Sequence, residues 1–170
     1  MHFLKSKKKN YIHLYNKIAF LTRKIFFYEK YKLKDSFSNR IYLVFFHLSF
    51  ILTSQKMKKV NKNISQDIFD SFFKQLEFNC REIGYSDTAI NKKMKELLKL
   101  FYEISIYCID WKQLHPDKKN YILLKFLEAR TNNKIFTDKL TIYFDEFSSF
   151  VDDIPLKSLI KGVFNFDYKE

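Results

Sequence analysis

A chain of 170 residues is the size of one domain and long enough to bury a core, and its 46% of hydrophobic residues includes 20 Phe and 11 Tyr to fill that core with rings. Only 2 Gly and 2 Pro occur, too few for the tight turns of a sheet protein, and Gly84 and Gly162 cannot assemble the phosphate-cradling loops GxGxxG or GxxxxGK(S/T) of nucleotide enzymes. The formal charge of +12 sits at one end: residues 1–63 hold fifteen Lys and Arg against Glu29 and Asp35, a balance of +13, and the remaining sixteen against seventeen acids give −1.

In chain order, residues 1–10 read as a basic tail and 11–170 as one all-α domain. The basic start is not followed by an uninterrupted apolar core, since His13, Asn16 and Lys17 intervene, so no export signal is expected. From Tyr11, the positions Leu14, Tyr15, Ile18, Leu21, Thr22 and Ile25 fall at helical spacing, with Lys17, Arg23 and Lys24 turned elsewhere. This amphipathic helix with a cationic face is read as ending at Phe26, Phe27 and Tyr28. Glu29 to Asp35 is a charged connector. A helix from Ser36 to about Lys56 follows, and between Ile41 and Leu52 its polar residues are His47 and Ser49. Such a segment has no polar face and must be buried, yet it is shorter than the ~20 apolar residues of a membrane span.

After the polar residues Lys58 to Asn63, Ser65 is the expected N-cap of a helix carrying Ile68, Phe69, Phe72, Phe73, Leu76, Cys80 and Ile83. Gly84 stands where a left-handed C-cap takes glycine. Asp87 or Thr88 caps a long helix with Ile90, Met94, Leu97, Leu98, Phe101, Ile104, Cys108 and Trp111 on one side. Pro116 opens the next helix through Tyr121, Leu124 and Leu127. A polar loop, 131–134, leads to Thr137 and Asp138 as caps for Leu140, Tyr143, Phe144, Phe147 and Phe150, closed by Asp152, Asp153 and Pro155. Leu156, Leu159 and Ile160 predict a last short turn of helix, before a loose aromatic tail with Phe164 and Phe166. The expected fold is an all-α bundle of six or seven helices.

Catalytic and metal-binding constellations do not emerge from the spacing. His2, His13, His47 and His115 lack HxxxH or HExxH spacing, and a site from His47, Cys80, Cys108 and His115 weighs less than their reading as packing residues. Cys80 and Cys108 make neither a disulfide framework nor CxxC, which fits a reducing, cytosol-facing compartment. Asp152 and Asp153 are a single pair where isoprenoid synthases need repeated aspartate clusters, and no GxSxG occurs. No cofactor, metal or small-molecule substrate is expected. The basic third fits nucleic acid or the acidic face of a membrane, although no RRM, KH or OB signature is present, and a solvated Lys-rich surface is the plain alternative.

Two blocks then resemble a known family. Arg23 with Phe27 and Tyr28, then Asp35, Ser36 and Arg40, then the apolar helix with His47 form the first; Phe69, Asp70 and Phe73, followed by Arg81, Glu82, Gly84, Asp87, Lys92, Lys93, Met94 and Lys95, form the second. Together they resemble the ubiquinol-cytochrome c chaperone family, bacterial proteins related to the mitochondrial assembly factor for cytochrome b. The resemblance covers roughly residues 11–110 and departs from the family's usual residues at Lys34, Asn39, Glu103 and Ile104.

It implies a non-enzymatic factor that binds nascent or newly inserted cytochrome b and supports assembly of the bc1 complex. Such a protein would work on the cytoplasmic side, peripherally associated with the inner membrane in a bacterium or on the matrix side in a mitochondrial relative. Expected partners are cytochrome b and an anionic membrane surface, with a ribosome or a small partner protein as further candidates. The expected client or membrane contacts are Arg23, Phe27, Tyr28, Arg40, Arg81, Lys92, Lys93 and Lys95; Asp35, Ser36, His47, Gly84 and Asp87 are expected to be structural. The alternative reading is a basic helical nucleic-acid-binding protein or membrane-surface adaptor.

Overall fold

A computed structural model describes residues 11–60, 62–130 and 134–168; the basic tail read for residues 1–10 and most of the polar loop at 131–134 lie outside them. Among the described residues the chain is all-α. Six helices of eleven residues or more, α1 (Ile12–Thr22), α3 (Phe37–Thr53), α5 (Lys62–Glu82), α6 (Asp87–Ile109), α7 (Pro116–Phe126) and α8 (Lys134–Asp153), are joined by the short α2 (Ile25–Glu29), α4 (Gln55–Lys58) and α9 (Leu156–Lys161).

Helix α3 is the axis of the bundle because it has nowhere polar to turn. From Ile41 to Leu52 every residue is buried except the half-buried Tyr42 and Leu52. Its side chains meet α6 in parallel order: Phe45 lies edge-on to Phe101, Ser49 Oγ bonds Ser105 Oγ at 2.8 Å, and Phe50 meets Trp111 in the single 3-10 turn just past the end of α6. On its other side Phe46, His47 and Phe50 pack on Tyr143, Phe144 and Phe147 of α8. Helix α5 runs antiparallel to α6, with Phe69 against Tyr102 and Phe73 against Phe101. Ring pairs of this kind each add about 0.5–1.5 kcal/mol beyond area burial, so the Phe-rich composition specifies the packing as well as filling it.

Several boundaries differ from the expectation, each for a packing reason. The first helix breaks at Arg23 and Lys24, before the aromatic triplet, because Phe26, Phe27 and Tyr28 are all buried and a new turn, α2, is needed to aim them inward. The core helix stops at Thr53: Ser54 leaves the helix and its Oγ accepts from Met57 N, capping α4. Ser65, Thr137 and Asp138 are interior residues, not caps. Ile64 packs on the core and Phe136 is buried, and helix α5 and helix α8 extend backwards to include them. The cap of α6 is Ser86, whose Oγ accepts from Ala89 N, one residue before Asp87. Ile83 is exposed. The terminal aromatic segment is not loose: Phe164, Phe166 and Tyr168 pack across Phe150, Tyr143, Phe147 and Phe26.

Gly162 ends α9 in the left-handed region at φ 66°, and a Cβ there would meet His13 O and Leu14 N at 2.7 Å. Two demands therefore fix glycine at this position, the backbone angle and the close approach to α1.

Candidate functional site

The two sequence blocks meet at one end of the bundle, where α1 and α5 finish and α3 and α6 begin. Tyr15 and Asn79, joined by a 2.7 Å hydrogen bond, set α1 beside α5 in the same direction, and Phe37 and Tyr42 of α3 line a small cleft with Lys93 and Glu96 of α6. This end carries Arg23, Arg40, Arg81, Lys92, Lys93 and Lys95.

Within the first block the arginines have different surroundings. Arg23 is exposed at the C-terminal end of α1. Arg40 is forked onto Asp35, its Nε donating to Oδ1 at 2.7 Å and its Nη2 to Oδ2 at 2.9 Å, while its guanidinium lies 5.8 Å over the Tyr28 ring. The bidentate hydrogen bond holds the Asp35 carboxyl below its ordinary value. Arg40 is thereby tied to its own connector, not to an acid on another helix. Phe27 and Tyr28 lie inside the core: Phe27 packs on Tyr143, and the Tyr28 hydroxyl donates to Thr22 O at 2.7 Å. Their rings anchor the connector from beneath and offer the surface nothing. Ser36 Oγ accepts from Asn39 N and caps α3.

Asn39, which stands out in the sequence only as a departure from the family's usual residue, holds the connector in place. It is fully buried; its Nδ2 donates to Lys34 O and Glu128 O at 2.8 and 2.7 Å, and its Oδ1 accepts from Glu128 N at 2.9 Å. With Lys34 N donating to Glu128 O and Arg130 N to Lys32 O, the connector is laced to the segment after α7. Lys34 also pairs with Glu128, and Glu103 with Lys125. Three of the four departures from the family's usual residues thus bond into one region of this chain, residues 125–128.

In the second block, Arg81 reaches Glu77 at 2.8 Å and Asp87 at 2.5 Å, bridging the turn whose Gly84 has φ 94°. Lys92 and Lys95 are exposed and Lys93, 4.0 Å from Glu96, is half-buried. The row that Lys92 and Lys95 begin continues along α6 through Lys99, Tyr102, Ile106 and Ile109, all exposed. Its signal in the sequence is the spacing of three and four.

A second feature lies between α1 and α9, an open groove of about 1170 Å³ lined by Leu14, Lys17, Phe20, Ile160, Lys161 and Val163 among others, with no carboxylate in its lining. It joins residues over 140 positions apart, which no local pattern announces.

The titratable residues weighed together as a site, His47, Cys80, Cys108 and His115, lie mostly in the interior. His47 is buried: its Nδ1 lies 2.6 Å from Leu43 O, which can only accept, so Nδ1 carries the proton and Nε2 accepts from the Tyr143 hydroxyl at 2.7 Å. Burial pushes its pKa down to about 4. Burial also pushes the Cys108 thiol well above its ordinary value, away from a reactive thiolate. Among the described residues no group of three or more His, Cys, Asp or Glu is placed to hold a metal ion, and no helix is long and apolar enough to cross a membrane.

Residues 29–108 match the ubiquinol-cytochrome C chaperone family. The resemblance read from the two blocks holds from residue 29 onward; Arg23, Phe27 and Tyr28, which open the first block, lie outside the matched residues. No curated protein matches the chain. Among solved structures, the Cbp3 homolog from Brucella abortus superposes with a TM-score of 0.75 at 22% identity, over 92% of this chain and 88% of that one. At that identity the likeness speaks for the fold, and at 92% of this chain it reaches well beyond the segment 29–108.

Proposed function

We propose that this chain is a non-enzymatic chaperone that holds newly made cytochrome b during assembly of the bc1 complex, working at the anionic inner face of a membrane. The observation that carries this reading is the family match over residues 29–108, a stretch that contains Arg40, Arg81, the lysines at the start of α6 and the whole of the buried axis α3. The geometry supports holding over chemistry: His47 is packed among rings, Cys108 is buried, and the charged groups are spread over an exposed end. That cationic end is also where a ribosome or a small partner protein would be met. The groove between α1 and α9, apolar and rimmed by lysines, is the surface assigned to lipid.

The test is a deletion strain in which cytochrome b and an unrelated membrane complex are measured together. Cytochrome b falls selectively and returns with the wild-type chain; a normal level in the deletion strain sinks the proposal. Charge reversal at the exposed Lys92 and Lys95 leaves the fold intact, since exposed helix substitutions cost within about 0.5 kcal/mol each, and lowers the rescue. Full rescue by the reversed chain removes the lysines from the site and leaves the function standing.

A further inference from the structure

Helix α6 carries two rows of residues on opposite sides. The inner row, Ile90, Met94, Leu97, Phe101, Ile104 and Cys108, is buried or half-buried against α3 and α5. The outer row, Lys92, Lys95, Lys99, Tyr102, Ile106 and Ile109, repeats every three and four residues without a break and is exposed throughout. That spacing keeps the row on one side of α6, the geometry a second helix would need to lie along it. Over seventeen rises of 1.5 Å the row is about 26 Å long, cationic in its first half and apolar in its second.

The apolar half is not incidental surface. Tyr102, Ile106 and Ile109 are 54, 66 and 49% exposed and sit in adjacent turns; exposed apolar residues of this size aligned on one face point to a contact surface. It has a wall on each side. Phe69 of α5 stacks on Tyr102, and Lys125 of α7 bonds Glu103 at 2.5 Å and Tyr107 at 3.3 Å. Glu96, Glu103 and Asp110 border the row, and carboxylates beside it disfavour an anionic bilayer as the occupant, in contrast to the groove at α1 and α9. Glu96 lies 4.0 Å from Lys93 and Glu103 is bonded by Lys125, so neither draws on the row's own lysines.

We propose that the outer row of α6 is the docking seam for one helix of the held protein, apolar where it lies on Tyr102, Ile106 and Ile109 and acidic where it faces Lys92, Lys95 and Lys99. This rests on the chaperone reading and gives the held segment a chemistry and an axial direction. The central anchor is Ile106.

A photoreactive residue placed at position 106 of the full-length chain, or at position 74 on α5 as a control, tests the seam in cells making tagged cytochrome b. The expected result is a crosslink from position 106 and not from 74, mapping to a helix of cytochrome b with an apolar stripe and an acidic end. In parallel, Ile106→Glu lowers capture of newly made cytochrome b by about tenfold, as loss of a central anchor does, with an unchanged thermal melt. Capture by the wild-type chain with crosslinks from 74 only, or from 106 to another protein or to lipid, overturns the seam and leaves the chaperone function standing. A wild-type chain that captures no cytochrome b overturns both.

Discussion

At the scale of single residues, His47 shows how a polar group is kept in an aromatic interior. Both ring nitrogens are engaged, by Leu43 O and the Tyr143 hydroxyl, and rings of Tyr143, Phe144 and Phe147 surround it. The Tyr143 phenol is itself held neutral by burial, its pKa pushed well above the ordinary value, so it remains a donor. The folded pKa of His47 is about 4 against 6.5 in its ordinary state. The unfolded chain therefore takes the proton more readily, and the stability gained from a neutral His47 is fully present above pH 6.5 and is lost as pH falls toward 4. A depression of this size corresponds to about 3 kcal/mol over the whole interval. Thermal melts of the wild type and His47→Gln between pH 7 and 4 check it: the wild type loses stability relative to the variant across that window, and parallel curves contradict the assignment. Asn39 works the same way with three hydrogen bonds, but no titration reports on it.

At the scale of elements, the core depends on α3. Phe46 is fully buried, edge-on to Phe126 of α7 at 5.9 Å and tilted on Phe144 of α8 at 5.2 Å, so it joins three helices at once. Phe46→Ala is expected to lower stability by about 3–5 kcal/mol, the cost of lost transfer energy and an unfilled cavity; a denaturant midpoint near the wild-type value places the ring outside the core. This element was legible in the sequence because an apolar run without a polar face has one physical solution, and the inner stripe of α6 was legible because its period matches the helix. What escaped were features set by distant partners. Nothing local tells that Ser65 and Thr137 are drawn inside helices by Ile64 and Phe136, that Asn39 meets the backbone of Glu128, or that Phe27 and Tyr28 of the first block turn inward. The outer row of α6 is half legible: Lys92 and Lys95 stand out by charge, but Tyr102, Ile106 and Ile109 follow in a stretch that is apolar on both sides of the helix, where the period no longer tells the outer face from the inner.

At the scale of the whole molecule, the basic N-terminal third and the C-terminal helix come together to make one surface. Lys17 lies 5.6 Å over Phe164 and 5.9 Å over Phe20, Lys24 lies 4.6 Å over Phe20, and Lys157 and Lys161 stand on the opposite bank of the groove. Phe20 and Val163 are exposed at its edges, and Ile25 beside Lys24 is exposed as well. Apolar side chains ringed by lysines, with no carboxylate in the lining, match the chemistry of an anionic lipid surface, where each basic residue contributes about 1 kcal/mol. Four lysines then supply about 4 kcal/mol, near a thousandfold in partition, enough for reversible attachment without an anchor and weak enough to be screened by salt. The chain is expected to float with acidic vesicles at low salt, to be released at high salt, and to ignore neutral vesicles. Reversing Lys17, Lys24, Lys157 and Lys161 to Glu abolishes flotation, and Phe20→Ser with Val163→Ser weakens it at every salt concentration, because the apolar share is not screened. The C-terminal lysines separate this surface from a general attraction of the basic third: if Lys157→Glu and Lys161→Glu float as well as the wild type, attachment does not run through the groove, and if the wild type is recovered equally with acidic and neutral vesicles, electrostatic attachment fails altogether.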